Sequence, residues 1–286
     1  MPELPEVQTI VDDMQAVGLC GVTIIDAHVL WDRTIATGSV DDFRHRIRGR
    51  VIQNIDRRAK YIVIALSDAL FWLVHLRMTG RFQIEPSGNS PGRHARVVLA
   101  LKDRRQLVFY DTRKFGRFYL TVSPESVLGE LGPEPLAPNF SAKALADRIG
   151  LRKGRIKPLL LNQKFLAGLG NIYVDEALWS ARIHPMRAAN TLKLSEIRRL
   201  HRAIRQVLRQ GIRNAGTSLG AGQSNFSSIR SNRGGNADQL NVFRRTGQPC
   251  PRCGQAIERL IVCQRSTHLC GRCQRTGGGP ATAPSP

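Results

Sequence analysis

Two stretches of this sequence set reactive side chains at spacings that suit chemistry. Toward the end of the chain, "CPRC" and "CGRC" form C-x2-C-x16-C-x2-C, with Cys250, Cys253, Cys270 and Cys273 as the four thiols. Each C-x-x-C knuckle puts two thiolates on one side of a turn, so two knuckles offer a tetrahedral sulfur set to Zn2+. Redox or disulfide pairing is the alternative, and this spacing disfavours it. Between the knuckles, "QAIERLIVCQRSTHL" reads as two short strands with "QRST" at the turn, which places Arg265 near a hairpin tip. Such a tip could meet a phosphate or simply be solvated. Cys263 is not needed as a ligand, and Cys20 stands apart. At the other end, "MPELPE" packs two prolines and two glutamates into six positions. It has neither the positive charge nor the apolar run of a secretory signal. Taken alone, it could also be a loose acidic terminus.

Three further stretches are weaker when read singly. "GLGNIY" (168–173) combines glycines with a helix start near Asn171, where free N–H groups would suit a phosphate; a plain helix–turn–helix connection would use the same residues. "FYDTRKFGRF" (109–118) sets Arg113, Lys114 and Phe115 at a strand exit. An apolar wedge beside an arginine can fill the gap left by an everted base, whereas an ordinary strand would expose the Arg and bury the Phe. "RRAKY" (57–61) puts Lys60 at a strand start, either reactive or solvated.

The elements that must position these residues follow from periodicity. Val7, Ile10, Val11 and Met14 form one helical stripe, with Pro5 in the first turn, so the hexapeptide leads straight into a helix. From Gly21 to about Leu120, runs such as "VTIIDAHVL", "YIVIAL", "FWLVHLRM", "ARVVLAL", "QLVFY" and "GRFYL" predict a β-sandwich or barrel. "GELGPEPLAPNF" (129–140) reads as a linker. Beyond it the pattern is helical: "SAKALADRI" carries a Ser cap, and "SEIRRLHRAIRQVLRQGI" has one apolar face and one crowded with Arg. Residues 216–240 read as a long mobile loop and 277–286 as a disordered tail. The 286 residues carry 43 Lys+Arg against 22 Asp+Glu, a net +21 that favours a polyanionic partner. No run approaches the length of a membrane span.

Taken together and in order, "PELPE", "RRAKY", "HLRMTG", "DTRKFG", "NQKFLAGLGNIYVDEALW", "IHP" and the four-cysteine finger make residues 1 to 275 resemble the formamidopyrimidine-DNA glycosylase family. The resemblance implies an α+β multidomain fold. An N-terminal β-sandwich with a leading helix (1–128) and the 129–140 linker would precede a helix-two-turn-helix domain (141–240). That domain would hold a damaged-base loop at 216–240 and be followed by a zinc-finger hairpin (241–276). It implies a bifunctional DNA glycosylase/AP lyase of base excision repair, removing 8-oxoguanine and formamidopyrimidines from duplex DNA. One structural Zn2+, no small-molecule cofactor, no membrane, a monomer and a bacterial cytoplasmic location go with it.

The same resemblance implies residue roles. Loss of Met1 would leave Pro2 with a secondary amine, partly neutral near neutrality, that attacks C1′ and forms a Schiff base before β,δ-elimination. Glu3 would be general acid/base at the opened sugar, Glu6 would help order the site, and Lys60 would contact phosphate and assist proton transfer. Met78, Arg113 and Phe115 would fill the void left by the flipped nucleotide. Lys114, Asn171 and Arg265 would bind phosphates, Arg265 also counting with the catalytic set, and His94 would join the DNA contacts. The segment after "GTSL" lacks the family's Arg-Asp-Tyr. Leu4 and the intact Met78–Arg113–Phe115 set favour oxidised purines over the oxidised pyrimidines of the related endonuclease VIII. A protein that merely bound lesions would have no physical reason to keep Pro2, Glu3 and Lys60 together.

Overall fold

The computed structural model describes residues 1–219, 226–229 and 233–276. The chain divides into two compact units, one of residues 1–130 with 211–237 and one of 131–210 with the chain from 238 onward.

The first unit opens with helix α1 (Leu4–Ala16), which has proline in its first turn and buries Val7, Ile10, Val11 and Met14 along one stripe. Two antiparallel four-stranded sheets follow. One has the order β1 (Ile24–Val29), β6 (Ala95–Leu101), β7 (Arg105–Asp111), β5 (Gly80–Pro86); the other runs β2 (Ile52–Arg58), β3 (Tyr61–Leu66), β4 (Leu70–His75), β8 (Arg117–Thr121). Helix α2 (Val40–Ile47) starts at Ser39, whose hydroxyl accepts from the Asp42 N–H as an N-cap. Inward side chains of both sheets share one core with α1. At its centre Trp72, Phe82, Phe109 and Phe118 pack ring on ring, the Phe109–Phe118 centroids 4.8 Å apart. This is the expected β-sandwich with a leading helix.

Strands β2 and β5 and helix α2 were not among the runs read from the sequence. Strand β2 buries only Ile52 and Ile55, β5 only Gly80 and Phe82, and α2 only Phe43 and Ile47.

The second unit is helical, with α4 (Ala142–Gly150), α5 (Ile156–Leu161), α6 (Asn171–Ser180) and α7 (Leu194–Arg213), the last running into the first unit; the short α3 (Glu125–Leu128) precedes the 129–140 stretch. Ser141 caps α4 as its sequence indicated, accepting from the Ala144 N–H at 3.1 Å. The hairpin β9 (Glu258–Val262) and β10 (Arg265–Leu269) completes this unit. Its turn is at Cys263 and Gln264, both at positive φ, so "QRST" is not the turn: Arg265 opens β10, paired with Val262.

Of the loop read over 216–240, residues 220–225 and 230–232 fall outside the described residues, as does the 277–286 tail. Thr217 bridges Gly235, and Asn236–Gln239 form a 3-10 turn. Among the described residues no helix is long and apolar enough to cross a membrane.

Candidate active site and zinc centre

In the first unit, the opening hexapeptide is held in place. Pro2, Glu3 and Glu6 are buried, although Met1 is exposed. Glu3 is the N-cap of α1, and Glu6, three residues on, accepts from the Glu3 backbone N–H at 2.8 Å, forming a capping box. The other Glu6 oxygen accepts from the Thr217 N–H at 2.8 Å, so one carboxylate ties the helix start to the 216–219 segment. Gly216 makes that approach possible: at φ +79, an added Cβ would meet the Glu6 backbone at 3.3 Å and the Phe226 ring at 2.8 Å. Thr217 in turn accepts from the Asn236 amide at 3.0 Å.

The terminal amine, here one residue before the Pro2 nitrogen and standing in for it, is held below its ordinary value by burial. Glu3 and Glu6 oppose that shift, and Lys60 and Arg113 add to it. These four side chains therefore share one electrostatic environment with the start of the chain. Lys60 is 4 % exposed and lies in the turn before β3 rather than on the strand.

Met78, Arg113, Lys114 and Phe115 occupy two neighbouring turns that one buried carboxylate joins. Asp111 accepts from the Thr79 hydroxyl in a short bond, from the Arg113 N–H at 3.1 Å and from the Gly116 N–H at 2.7 Å. The Thr79 hydroxyl also accepts from the Arg113 N–H at 3.1 Å. The Arg113 guanidinium lies 4.8 Å from the centroid of the exposed Phe115 ring, and the Lys114 ammonium lies 3.9 Å from that of Trp31. The backbone carbonyl of His94 accepts from the Asp111 N–H at 2.9 Å, which sets His94 beside the same strand end. His75 is a further buried group here. Its Nδ1 accepts from the Arg77 N–H at 3.0 Å, and burial, then Arg77 and Lys60, push its pKa down to about 3. Met78, Arg113, Lys114 and Phe115 were named from the sequence but not Asp111, Thr79 or His75, which burial and the approach of separate elements bring into the site.

In the second unit, Asn171 starts α6 and its amide donates to the Ser266 carbonyl at 2.8 Å, next to Arg265. The same hairpin strand is fixed by a fully buried ion pair. Lys157 donates to Asp175 at 2.6 Å, to the Ser266 carbonyl at 3.0 Å and to the Thr267 hydroxyl at 2.8 Å. Asp175 also accepts from the His268 N–H at 2.8 Å. Glu176, the next residue, accepts from the backbone N–H groups of Asn241, Val242 and Phe243. Thus α6 organises both the hairpin and the approach to the first knuckle. Neither Lys157 nor the Asp175–Glu176 pair stood out from the sequence, because a buried Lys is unusual without a partner and the partner lies on another element.

The four cysteines converge. Sγ atoms of Cys250, Cys253, Cys270 and Cys273 all lie within 4.8 Å of one another, with Cys250–Cys273 at 4.0 Å and Cys253–Cys270 at 3.4 Å. A tetrahedron with Zn–S bonds of about 2.3 Å needs S–S edges of about 3.8 Å, so the set fits one Zn2+. Burial alone would push the Cys250 thiol up, but N–H donors from the Arg252 backbone, the Trp179 indole and the Cys253 backbone bring it to about 7. Burial raises Cys273.

Family models match the chain in three blocks: the formamidopyrimidine-DNA glycosylase N-terminal domain over residues 1–118, the H2TH domain of the same enzymes over 131–222, and the zinc finger found in FPG and IleRS over 247–276. The formamidopyrimidine-DNA glycosylase of Protochlamydia amoebophila is 47% identical over 275 residues, covering 96% of this chain and 100% of that protein. The chain belongs to the formamidopyrimidine-DNA glycosylase family. The Roseiflexus enzyme is 43% identical over 278 residues, again with 96% and 100% coverage. Among solved structures, a complex between the Lactococcus lactis enzyme and an abasic site containing DNA is 34% identical with a TM-score of 0.88, covering 96% of this chain and 99% of that one. A complex of the same enzyme with Fapy-dG containing DNA gives 34% and 0.87. The family's one structural zinc is matched here by the four-cysteine cluster.

Proposed function

We propose that this glycosylase/AP lyase of oxidised purines works through Pro2. With Met1 removed, the secondary amine of Pro2 attacks C1′ of the damaged nucleotide, and the bond to the base breaks as the base leaves. The nitrogen loses its proton, and the C1′–O4′ bond then breaks, with O4′ taking a proton as the nitrogen lone pair closes onto C1′ to give an iminium on the opened sugar. The iminium draws electrons from C2′, so the 3′ phosphate and then the 5′ phosphate depart by β- and δ-elimination. Glu3 moves protons at the opened sugar, and Lys60 holds a phosphate while keeping the amine partly neutral. The observation that supports this reading is geometric: Pro2, Glu3, Glu6 and Lys60 are all buried, and Glu6 holds the Glu3 N–H and the Thr217 N–H, which fixes the start of the chain.

Around that chemistry, Met78, Arg113 and Phe115 fill the gap left by the everted nucleotide, and Lys114, Asn171, Arg265 and His94 contact the DNA backbone. Glu6 secures the base of the 216–219 segment against the helix start. The substrate is duplex DNA, bound by a monomer in the bacterial cytoplasm.

Borohydride trapping tests the assignment. Wild-type protein should form a covalent complex on duplexes carrying 8-oxoguanine, and Pro2→Gly or an N-terminally extended chain should form far less. Trapping that persists in the extended chain would place the nucleophile elsewhere.

A further inference from the structure

We propose that Trp179 is an outer-shell donor of the zinc centre: its indole N–H donates to the Cys250 sulfur and sets how firmly this chain keeps its metal. Trp179 is 9 % exposed and its Nε1 lies 3.4 Å from Cys250 Sγ. The other two tryptophans differ, since the indole nitrogens of Trp31 and Trp72 are buried with no hydrogen-bond partner. Four thiolates around one Zn2+ carry a net charge of −2, and in a buried site that excess charge must be met by N–H donors. The indole supplies one from outside the knuckle, and so ties the sulfur to the last turn of α6.

Arg252, the residue between Cys250 and Cys253 in the "CPRC" knuckle that follows Pro251, fixes the ring from its other side. Its guanidinium lies 4.1 Å from the Trp179 ring centroid and donates to the Trp179 carbonyl at 3.1 Å. The ring is therefore held by a cation above it and by a sulfur at its edge, both from one knuckle. The start of the same helix holds Asn171 on the Ser266 carbonyl. Helix α6 thus meets the finger at both ends, and a knuckle that loses its metal loosens the helix that presents Asn171.

Core packing is the competing account, because Trp179 also sits in an apolar cluster with Val242 and Ile257. Two variants of the full chain separate the accounts. Trp179→Phe keeps an aromatic ring for Arg252 but removes the N–H. Arg252→Met removes the cation but leaves the N–H in place. Zinc loss to a chromophoric chelator should be about 10- to 100-fold easier in Trp179→Phe, the range for lost outer-shell partners, and much less affected in Arg252→Met. In the Co2+-substituted protein, the sulfur-to-cobalt charge-transfer band should move to lower energy in Trp179→Phe, because a thiolate that loses a hydrogen bond gives up its electrons more readily. Unchanged zinc affinity with an unshifted band would overturn the proposal, whatever happens to the melting temperature. Should the smaller ring unsettle the fold, benzothienylalanine at position 179 keeps the bicyclic shape without the N–H. An unshifted band there would overturn it equally.

Discussion

His75 shows how surroundings fix the protonation state of one side chain. With its Nδ1 accepting from the Arg77 N–H, the neutral ring must carry its proton on Nε2. The unfolded chain titrates this group near 6.5, whereas the folded chain keeps it neutral down to about 3. Between those values the unfolded state binds more protons. Stability that is fully present above 6.5 is therefore lost progressively as the pH falls toward 3. His75→Asn retains an acceptor for the Arg77 N–H and removes the titration. Its melting temperature should depend less on pH across that window, by at most ~1.4 kcal/mol per pH unit in stability. Parallel wild-type and variant profiles would refute this account. The sequence offered "HLRMTG" as a motif but no hint of this behaviour, because burial and the approach of Lys60 are products of the fold. Pro2, Glu3 and Glu6 were singled out through the resemblance that "PELPE" carries; the capping geometry that joins Glu3 to Glu6 is local but was not read from the sequence.

Elements with a strong apolar signature were read correctly, and the ones missed share a physical cause. The stripe on α1 and the continuous runs of β4, β6 and β7 are buried on both sides or along a full face. Strands β2 and β5 bury only Ile52 and Ile55 in the first and Gly80 and Phe82 in the second, so neither carries the apolar run that marked the other strands, edge strands β1 and β8 included. The turn after β7 depends on close approach rather than on periodicity. A Cβ on Gly116 would lie 2.5 and 2.7 Å from atoms of the Phe109 ring, and one on Gly80 would lie 2.7 and 2.9 Å from the same ring. The turns that carry Met78 and Phe115 are thus drawn over one buried aromatic. Gly116→Ala should destabilise the protein by about 1–3 kcal/mol, as overpacked cores generally do. In a Phe109→Leu background the added methyl finds room, so the cost of Gly116→Ala should shrink. Denaturant unfolding of the four proteins of this cycle measures the coupling, and additive effects would mean that the two residues do not meet as described.

Across the whole molecule the dominant quantity is the charge of +21. It was plain from composition and named nucleic acid only as a class; the fold assigns individual charges to distinct tasks. Arg187 is buried against Glu196, and Lys157 is buried against Asp175, so neither is free to meet a phosphate. Arg205 donates to the Pro135 and Ala137 carbonyls. Lys114, by contrast, is an exposed side chain resting on the Trp31 ring, a contact that can be exchanged for a phosphate. Each phosphate neutralised by a cation contributes about −0.9 to the slope of log affinity against log salt. If Lys60, Lys114 and Arg265 each neutralise one, binding to an abasic-site duplex should show a slope of about −2.7 or steeper. Lys114→Met should make it shallower by about 0.9. Asn171→Ala should weaken binding at every salt concentration and leave the slope alone, because an amide neutralises no charge. Fluorescence anisotropy over a salt series separates the two kinds of contact. A Lys114→Met slope equal to that of wild type would remove this lysine from the phosphate contacts and leave Trp31 as its resting place in the bound state as well.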